Sequence, residues 1–208
     1  MKRLFTTALT AALSAGAAQG VTIFSLDIGG TGHLESGFTA LPISGSVTVG
    51  GIEFTQSVGS NGFRSDDPSP LTKDFAQANG GETMTVSFGG AGDLSAGLWQ
   101  VEIWSYDYNF AADDFNTGIL DDGVGTTLVT GATPNPSSTL VASTNRLPAV
   151  SFNFTSDGTS AYGVFLVDEP GSGTRTRLNA LRLTLVPEPS SLALLGLSGL
   201  CMLRRRRF

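Results

Sequence analysis

The chain has 208 residues, with 12 basic and 18 acidic side chains and a formal net charge of −6. This length fits one or two domains. The only cysteine is Cys201, which excludes a disulfide framework and a cysteine-based metal site from the residues before it. The 27 glycines and the low charged fraction of 14% are typical of a turn-rich extracellular β protein rather than of a cytosolic enzyme.

The N-terminus has the pattern of a secretory signal peptide. Lys2 and Arg3 precede an apolar stretch at residues 4–18, which is too short to span a bilayer comfortably. The small-x-small sequence Ala18-Gln19-Gly20 follows it. We therefore predict a signal peptide at residues 1–20 with cleavage after Gly20. The alternative is a buried N-terminal strand or helix.

Residues 21–186 are predicted to form one extracellular domain. The two predicted ends of the chain carry six of the 12 basic residues and one of the 18 acidic residues. The remaining 166 residues therefore hold six basic and 17 acidic residues, a net charge of −11. Such a surface repels nucleic acid and anionic lipid and attracts divalent cations or basic partners. No nucleic-acid partner is expected.

The domain reads as all-β, because short runs of β-forming residues are broken by Gly, Asn, Asp, Ser and Pro. Apolar side chains occupy every second position in VSFNFT at 150–155 and in LRLTL at 181–185. Loops are predicted at 31–45 and 61–80. The predicted strands are 21–28, 46–55, 82–88, 98–106, 126–130, 138–142, 149–155, 161–168 and 177–186. This number of short strands predicts an antiparallel β-sandwich, most simply a jelly roll.

Two segments resemble those of galactose-binding-like sandwiches in surface proteins and carbohydrate-binding modules. One is SAGLWQVEI at 95–103, a loop that enters a central strand, and the other is LNALRL at 178–183, a closing strand. The resemblance implies a fold, and a fold alone does not assign a function.

The sequence supplies little for catalysis. His33 is the only histidine, it lies in a glycine-rich loop, and no G-x-S-x-G is present. The paired glycines match no phosphate-binding motif. A glycosidase needs two carboxylates, for which Glu102 is the best candidate, but sequence cannot supply their separation. We therefore expect a protein that is not an enzyme.

One segment is rich in the oxygen ligands that calcium prefers. The candidate ligands are Asp107, Asn109, Asp113, Asp114, Asp121 and Asp122. The segment does not fit the EF-hand pattern, and a solvated acidic loop is the alternative. A second acidic patch comprises Asp66, Asp67 and Asp74. No other cofactor is expected.

A sugar-binding face is the second candidate site. In the strand predicted at 98–106, odd positions form the core face and even positions the opposite face. Glu102, Trp104 and Tyr106, with Tyr108 beyond them, would then present aromatic rings beside a carboxylate. Such rings suit stacking on a polysaccharide. The alternative is that other elements cover these rings and enlarge the core.

The C-terminus, VPEPSSLALLGLSGLCMLRRRRF at 186–208, has three parts. Pro187, Glu188 and Pro189 form a stiff extended motif. A 14-residue apolar stretch, which includes Leu192, begins at Ser190 and ends at Leu203. It would form a helix roughly 21 Å long, suited to a short membrane anchor. The residues Arg204, Arg205, Arg206 and Arg207 follow and should stay cytoplasmic, which places the domain outside.

These three parts, in this order, resemble the PEP-CTERM sorting signal of exported bacterial proteins. The resemblance implies that an exosortase, an integral-membrane cysteine transpeptidase, cuts near Pro187, Glu188 and Pro189, which are recognition residues. It also implies export by the Sec translocation machinery, anchoring in the inner membrane at 187–208, and release to the envelope or the exterior. A plain single-span anchor is the alternative.

Three roles follow for the domain, in decreasing order of preference. The first is a structural or adhesive component of the cell surface or extracellular matrix. The second is a carbohydrate-binding module acting on exopolysaccharide through Glu102, Trp104 and Tyr106. The third is a glycan-active enzyme.

Overall fold

The computed structural model describes residues 22–29, 31–57, 59–63, 70–106, 114–133, 147–169 and 175–187. Residues Ile23–Val186 form one compact unit. Its described parts contain a 3-10 helix at Thr31–His33, a short α-helix α1 at Pro70–Lys73, and 14 β-strands. The strands are β1 Ile23–Ile28, β2 Thr39–Leu41, β3 Ser46–Val49, β4 Ile52–Ser57, β5 Ser60–Phe63, β6 Asp74–Asn79, β7 Thr83–Phe88, β8 Gly97–Trp104, β9 Phe115–Asp121, β10 Val124–Ala132, β11 Val150–Ser156, β12 Tyr162–Asp168, β13 Arg175–Leu178 and β14 Ala180–Leu185.

The strands form three sheets. A five-stranded sheet has the order β11-β8-β14-β1-β2, and a six-stranded sheet has the order β10-β9-β12-β7-β4-β3. A small third sheet has the order β13-β6-β5. Among the described strands, β1 and β2 are parallel and the other pairs are antiparallel. The predicted all-β class with antiparallel sheets is confirmed, whereas the jelly-roll order of the strands stays a prediction.

The two large sheets share one apolar core. Phe24 of the five-stranded sheet lies 5.2 Å from Phe54 of the six-stranded sheet, measured between ring centroids. The odd positions Trp99, Val101 and Ile103 of β8 are buried in this core, as the alternation predicted. A strand places successive side chains on opposite faces, so a period of two suffices to build this half of the sandwich.

Two predicted strands are each divided in the structure. The run at 46–55 is a hairpin of β3 and β4, because Gly50 and Gly51 adopt positive φ values of 59° and 89° that allow a tight turn. The run at 177–186 is interrupted at Asn179. The Asn179 side-chain nitrogen donates to the Asp74 carbonyl oxygen over 3.1 Å, which ties β13 and β14 to the start of β6.

Both regions predicted as loops contain strands, and so does the acidic segment considered for calcium. The loop predicted at 31–45 includes β2, and the one at 61–80 includes most of β5, α1 and β6. The acidic segment at 107–123 includes β9. The sequences of β6 (DFAQAN) and β9 (FNTGILD) have few β-branched residues, so pairing and burial rather than propensity fix them as strands.

Three predicted segments lie outside the described residues: the strand at 138–142, the signal peptide at 1–20 and the anchor helix at 190–203. Within the part of the chain that the structure describes, no helix is long and apolar enough to cross a membrane.

Gly118 of β9 allows a close approach of the edge strand β10. The register between these strands shifts between Thr127 and Val129, which brings the chain of β10 over Gly118. A Cβ atom at position 118 would lie 2.0 Å from the Thr126 carbonyl oxygen and 2.9 Å from the Leu128 backbone nitrogen. Backbone atoms cannot move aside as a flexible side chain can.

The Gly118→Ala variant should therefore lose about 2–3 kcal/mol of unfolding free energy through overpacking. Gly32→Ala is the matched control, because no atom lies within 4 Å of the Cβ position there. Urea denaturation of both variants measures the difference. Equal midpoints for the two variants would contradict the close approach at Gly118.

Candidate functional site

The outer face of the five-stranded sheet carries a row of polar side chains. Cross-strand register places Ser151, Glu102, Arg182 and Ser25 side by side on β11, β8, β14 and β1. An Arg182 terminal nitrogen lies 3.4 Å from a Glu102 carboxylate oxygen, and Arg182 Nε donates to Ser25 Oγ over 3.2 Å. Both charged side chains keep partial contact with water, so this pair contributes little by charge alone.

Arg182 also contacts two aromatic rings that pack against each other. Its guanidinium carbon is 5.1 Å from the centroid of the Trp104 ring and 5.2 Å from that of Phe38. The two rings meet edge to face at 5.9 Å. Leu71 of α1 and Ala180 of β14 complete a small apolar cluster around Trp104. The segment that carries Phe38 and the helix that carries Leu71 therefore cover this end of the sheet.

This cover overturns the predicted aromatic platform. Trp104 is 4% exposed and Tyr106 is 2% exposed, so neither ring is available to stack on a sugar. As the alternative requires, both rings are buried, and Trp104 lies in the small cluster with Leu71 and Ala180. Alternation assigned Trp104 to the correct face of β8 but gave no information on what packs over that face. Glu102 remains partly exposed and is paired with Arg182. Tyr108 lies outside the described residues.

A buried carboxyl group lies under the same cover. Asp27 of β1 is 4% exposed, and its Oδ2 accepts a hydrogen bond from the Glu35 backbone N–H over 2.8 Å. Burial raises the pKa of Asp27 to about 7; the Glu35 N–H opposes this increase, whereas the charges of Asp74 and Glu35 add to it. Sequence analysis missed Asp27, although a lone aspartate in the apolar run IFSLDI at Ile23–Ile28 was a usable signal.

Asp74 stands against β1 because of a glycine. A Cβ atom at Gly29 would lie 2.4 Å from the Asp74 Cβ, so only glycine leaves room for this side chain. Two acidic residues from distant parts of the chain, Asp27 and Asp74, thus meet with Glu35 at the end of β1. Within the described ranges, no group of three or more His, Cys, Asp or Glu side chains is arranged to hold a metal ion.

The calcium site predicted from the acidic segment cannot include both Asp114 and Asp121. Asp107, Asn109 and Asp113 lie outside the described residues, as do Asp66 and Asp67 of the second patch. Asp114 precedes β9, whereas Asp121 ends it and Asp122 follows. Seven residues of extended chain separate Asp114 from Asp121 by about 23 Å, too far to share one ion. The Asp122 Oδ1 instead accepts a hydrogen bond from the Ala161 N–H over 2.7 Å.

His33 stacks on an aromatic ring. Its imidazole centroid lies 5.0 Å from that of Phe63 in β5, with an interplanar angle of 25°. The contact accounts for the position of this histidine by packing. It offers no arrangement in which His33 would activate a serine.

The C-terminal end of the domain leads directly into the predicted sorting motif. β14 ends at Leu185, the Val186 N–H donates to the Leu98 carbonyl oxygen over 2.8 Å, and Pro187 is exposed. The described residues end there. Glu188, Pro189 and the predicted anchor residues, Ser190, Leu192, Leu203, Arg204, Arg205, Arg206 and Arg207, lie outside them.

Comparison with known proteins identifies the tail. Residues 185–207 match the family model of the PEP-CTERM protein-sorting motif, which confirms the resemblance based on the C-terminal residues. No curated protein is significantly similar to the chain in sequence. The crystal structure of the ANXUR2 extracellular domain from Arabidopsis thaliana is similar in fold, with a TM-score of 0.50, 12% identity, and coverage of 81% of this chain and 50% of that chain. The ANX2 ectodomain from the same plant gives a TM-score of 0.51, 12% identity, and coverage of 81% and 51%. This chain therefore spans about half the length of each.

The raised pKa of Asp27 predicts a pH dependence of stability. Since the folded state holds this proton more tightly than the unfolded state, the free energy of unfolding should fall as pH rises from about 4 to about 7. The contribution of this group is at most about 4 kcal/mol. Asp27→Asn should abolish the part of the pH dependence of unfolding free energy that this carboxyl group causes. Thermal melts recorded across this pH range measure that dependence.

Asp157→Asn is the control of opposite sign. The Asp157 carboxylate accepts hydrogen bonds from the Ser160 and Thr159 N–H groups, which hold its pKa well below the ordinary value. Its contribution is fully present above the ordinary carboxyl pKa of about 4 and is lost only below that pH, so this variant should be destabilised by a constant amount between pH 4 and pH 7. The same pH slope in Asp27→Asn and wild type would contradict the assignment.

Trp99 and Trp104 are the two tryptophans of the chain, and both are buried. We expect acrylamide to quench their fluorescence weakly in the folded protein and strongly after denaturation. Adding polysaccharide should leave the emission unchanged. Strong quenching of the folded protein, or a shift of emission on addition of polysaccharide, would contradict the burial of Trp104 and support an exposed sugar-binding face.

Proposed function

We propose that this chain, which carries a PEP-CTERM protein-sorting motif at residues 185–207, is an exported cell-surface or extracellular-matrix protein whose tail an exosortase-type enzyme removes. The observation that carries the proposal is the order of the parts: a folded β domain, Pro-Glu-Pro, an apolar stretch and four arginines. The Sec machinery exports the chain, the tail holds it in the inner membrane, and cleavage passes the domain to the envelope or the exterior.

The domain itself is proposed to be structural or adhesive and not enzymatic. The charged and aromatic groups on the outer face of the five-stranded sheet are engaged with one another: Glu102 with Arg182, and Arg182 with Trp104. Asp27 is covered by the segment containing Glu35. Such groups stabilise a fold, whereas a general acid or base has to reach a substrate atom.

The fold is proposed to be a jelly roll of the galactose-binding-like type. Two facing sheets with one aromatic-rich core support this assignment. The likeness to the two extracellular plant domains concerns the fold alone, because identity is 12%. The carbohydrate-binding alternative depended on exposed rings at Trp104 and Tyr106, and the burial of both argues against it.

The test is the intact mass and the membrane fractionation of the protein in a host that contains the sorting enzyme. Wild type should lack the Leu-rich and Arg-rich end and leave the inner-membrane fraction. A variant with Pro187→Ala, Glu188→Ala and Pro189→Ala should keep its tail and stay in the membrane, because the recognition residues are gone. Ser198→Ala, which changes the tail but not the motif, is the matched control.

Two results would count against the proposal. Wild type that still ends at Phe208 would be a plain membrane-anchored protein. Equal loss of the tail from wild type and from the triple variant would show processing that does not depend on Pro187–Pro189.

A further inference from the structure

The sorting motif follows the folded domain without a spacer. The matched region begins at residue 185, which is the last residue of β14. The next residue, Val186, is still held by the hydrogen bond from its N–H to the Leu98 carbonyl oxygen. Pro187 is thus the first residue that the sheet does not bind, and it is also the first residue of Pro-Glu-Pro.

The last residues of β14 are firmly held, because this strand is internal to its sheet. Leu185 lies opposite Trp99 of β8, and Thr184 lies opposite Ile23 of β1. Leu185 also packs against the core and closely over Gly97, where an added Cβ would be 2.9 Å from its Cδ1. Peeling this end away would break the pairing of Leu185 and Val186 with β8, then that of Thr184 with β8 and β1, and would expose an apolar side chain.

An enzyme that cuts a peptide chain needs several residues in an accessible, extended form. Bonds inside a paired strand become accessible only through local opening, and central strands open least. At 3.3–3.6 Å per residue, Pro187–Pro189 spans at most about 11 Å. The enzyme must therefore work close to the folded domain or open its last strand.

We propose that β14 sets the N-terminal limit of the substrate: the sorting enzyme engages the chain from Pro187 onward, and the mature protein keeps Leu185 and Val186 in the sheet. This inference rests on the proposed function. One peptide bond C-terminal to Pro187 breaks, the tail leaves with the freed amine, and the new C-terminal acyl group passes to water or to an acceptor amine. The folded domain then limits the rate of cleavage, because it restricts the enzyme's access to the motif.

The experiment compares three full-length chains in the host that contains the sorting enzyme. The first is wild type, and the second has eight Gly/Ser residues inserted between Val186 and Pro187. The third has the same insertion between Gly80 and Gly81, in the exposed turn between β6 and β7, as the matched control. A flexible insertion of eight residues adds about 16 Å of reach. Pulse-chase gels give the rate of tail loss, and intact mass gives the new C-terminus.

We expect mature wild type to end at Pro187 or beyond. The insertion before Pro187 should increase the rate of tail loss several-fold, and the control insertion should leave it unchanged. Thermal melts of the three purified chains should coincide within a few degrees. A difference in the rate of tail loss then reflects access of the enzyme to the motif and not a difference in folding.

Three results would overturn the inference. A mature wild-type end at Val186 or earlier means that the enzyme opens β14. Equal rates for wild type and the insertion before Pro187 mean that the domain does not restrict access. Both of these leave the proposed sorting function intact. Retention of the tail in all three chains would instead contradict both the proposed sorting function and the inference that β14 limits the substrate.

Discussion

The pairing of β14 with β8 on one side and β1 on the other is the constraint on which the rest of the structure depends. It joins Ser25 and Arg182, which are 157 residues apart in sequence. Without it, β1 and β8 would not lie in one sheet and the core would lack one wall. The entropy cost of closing so long a loop grows only slowly with length, but it has to be met before the pairing can stabilise the fold, so long-range strand pairing of this kind folds slowly.

The same pairing creates the polar centre of the outer face. Arg182 lies in the middle of the sheet, where a planar guanidinium can face a carboxylate and two rings at once. The chain then covers its own aromatic residues with α1 and the segment before β2, and it buries Asp27 beneath that segment. Trp104, which suggested sugar binding in the sequence, therefore packs against Phe38 and Leu71 and holds these surface segments onto the sheet.

Antiparallel pairing of β1 and β14 also brings the two ends of the domain together. Ile23, just after the predicted signal-peptide region, lies opposite Thr184, just before the sorting motif. The chain therefore leads into the predicted signal-peptide region and into the sorting motif from the same end of the five-stranded sheet. The covered cluster of Asp27 and Trp104 lies at the other end of the same strands. Processing of the tail can therefore proceed without disturbing that cluster, since extended strands separate the two.

The sequence by itself determined the features that depend on local pattern. Alternation gave the all-β class and the core face of β8, and the order of Pro-Glu-Pro, apolar stretch and arginines gave the sorting tail. Only the tertiary structure decided the burial of Trp104 and Tyr106, the separation of Asp114 from Asp121, and the meeting of Asp27 with Asp74. The reason is physical: side-chain direction follows from neighbours along the chain, whereas burial, metal geometry and pKa depend on which distant segments pack against them.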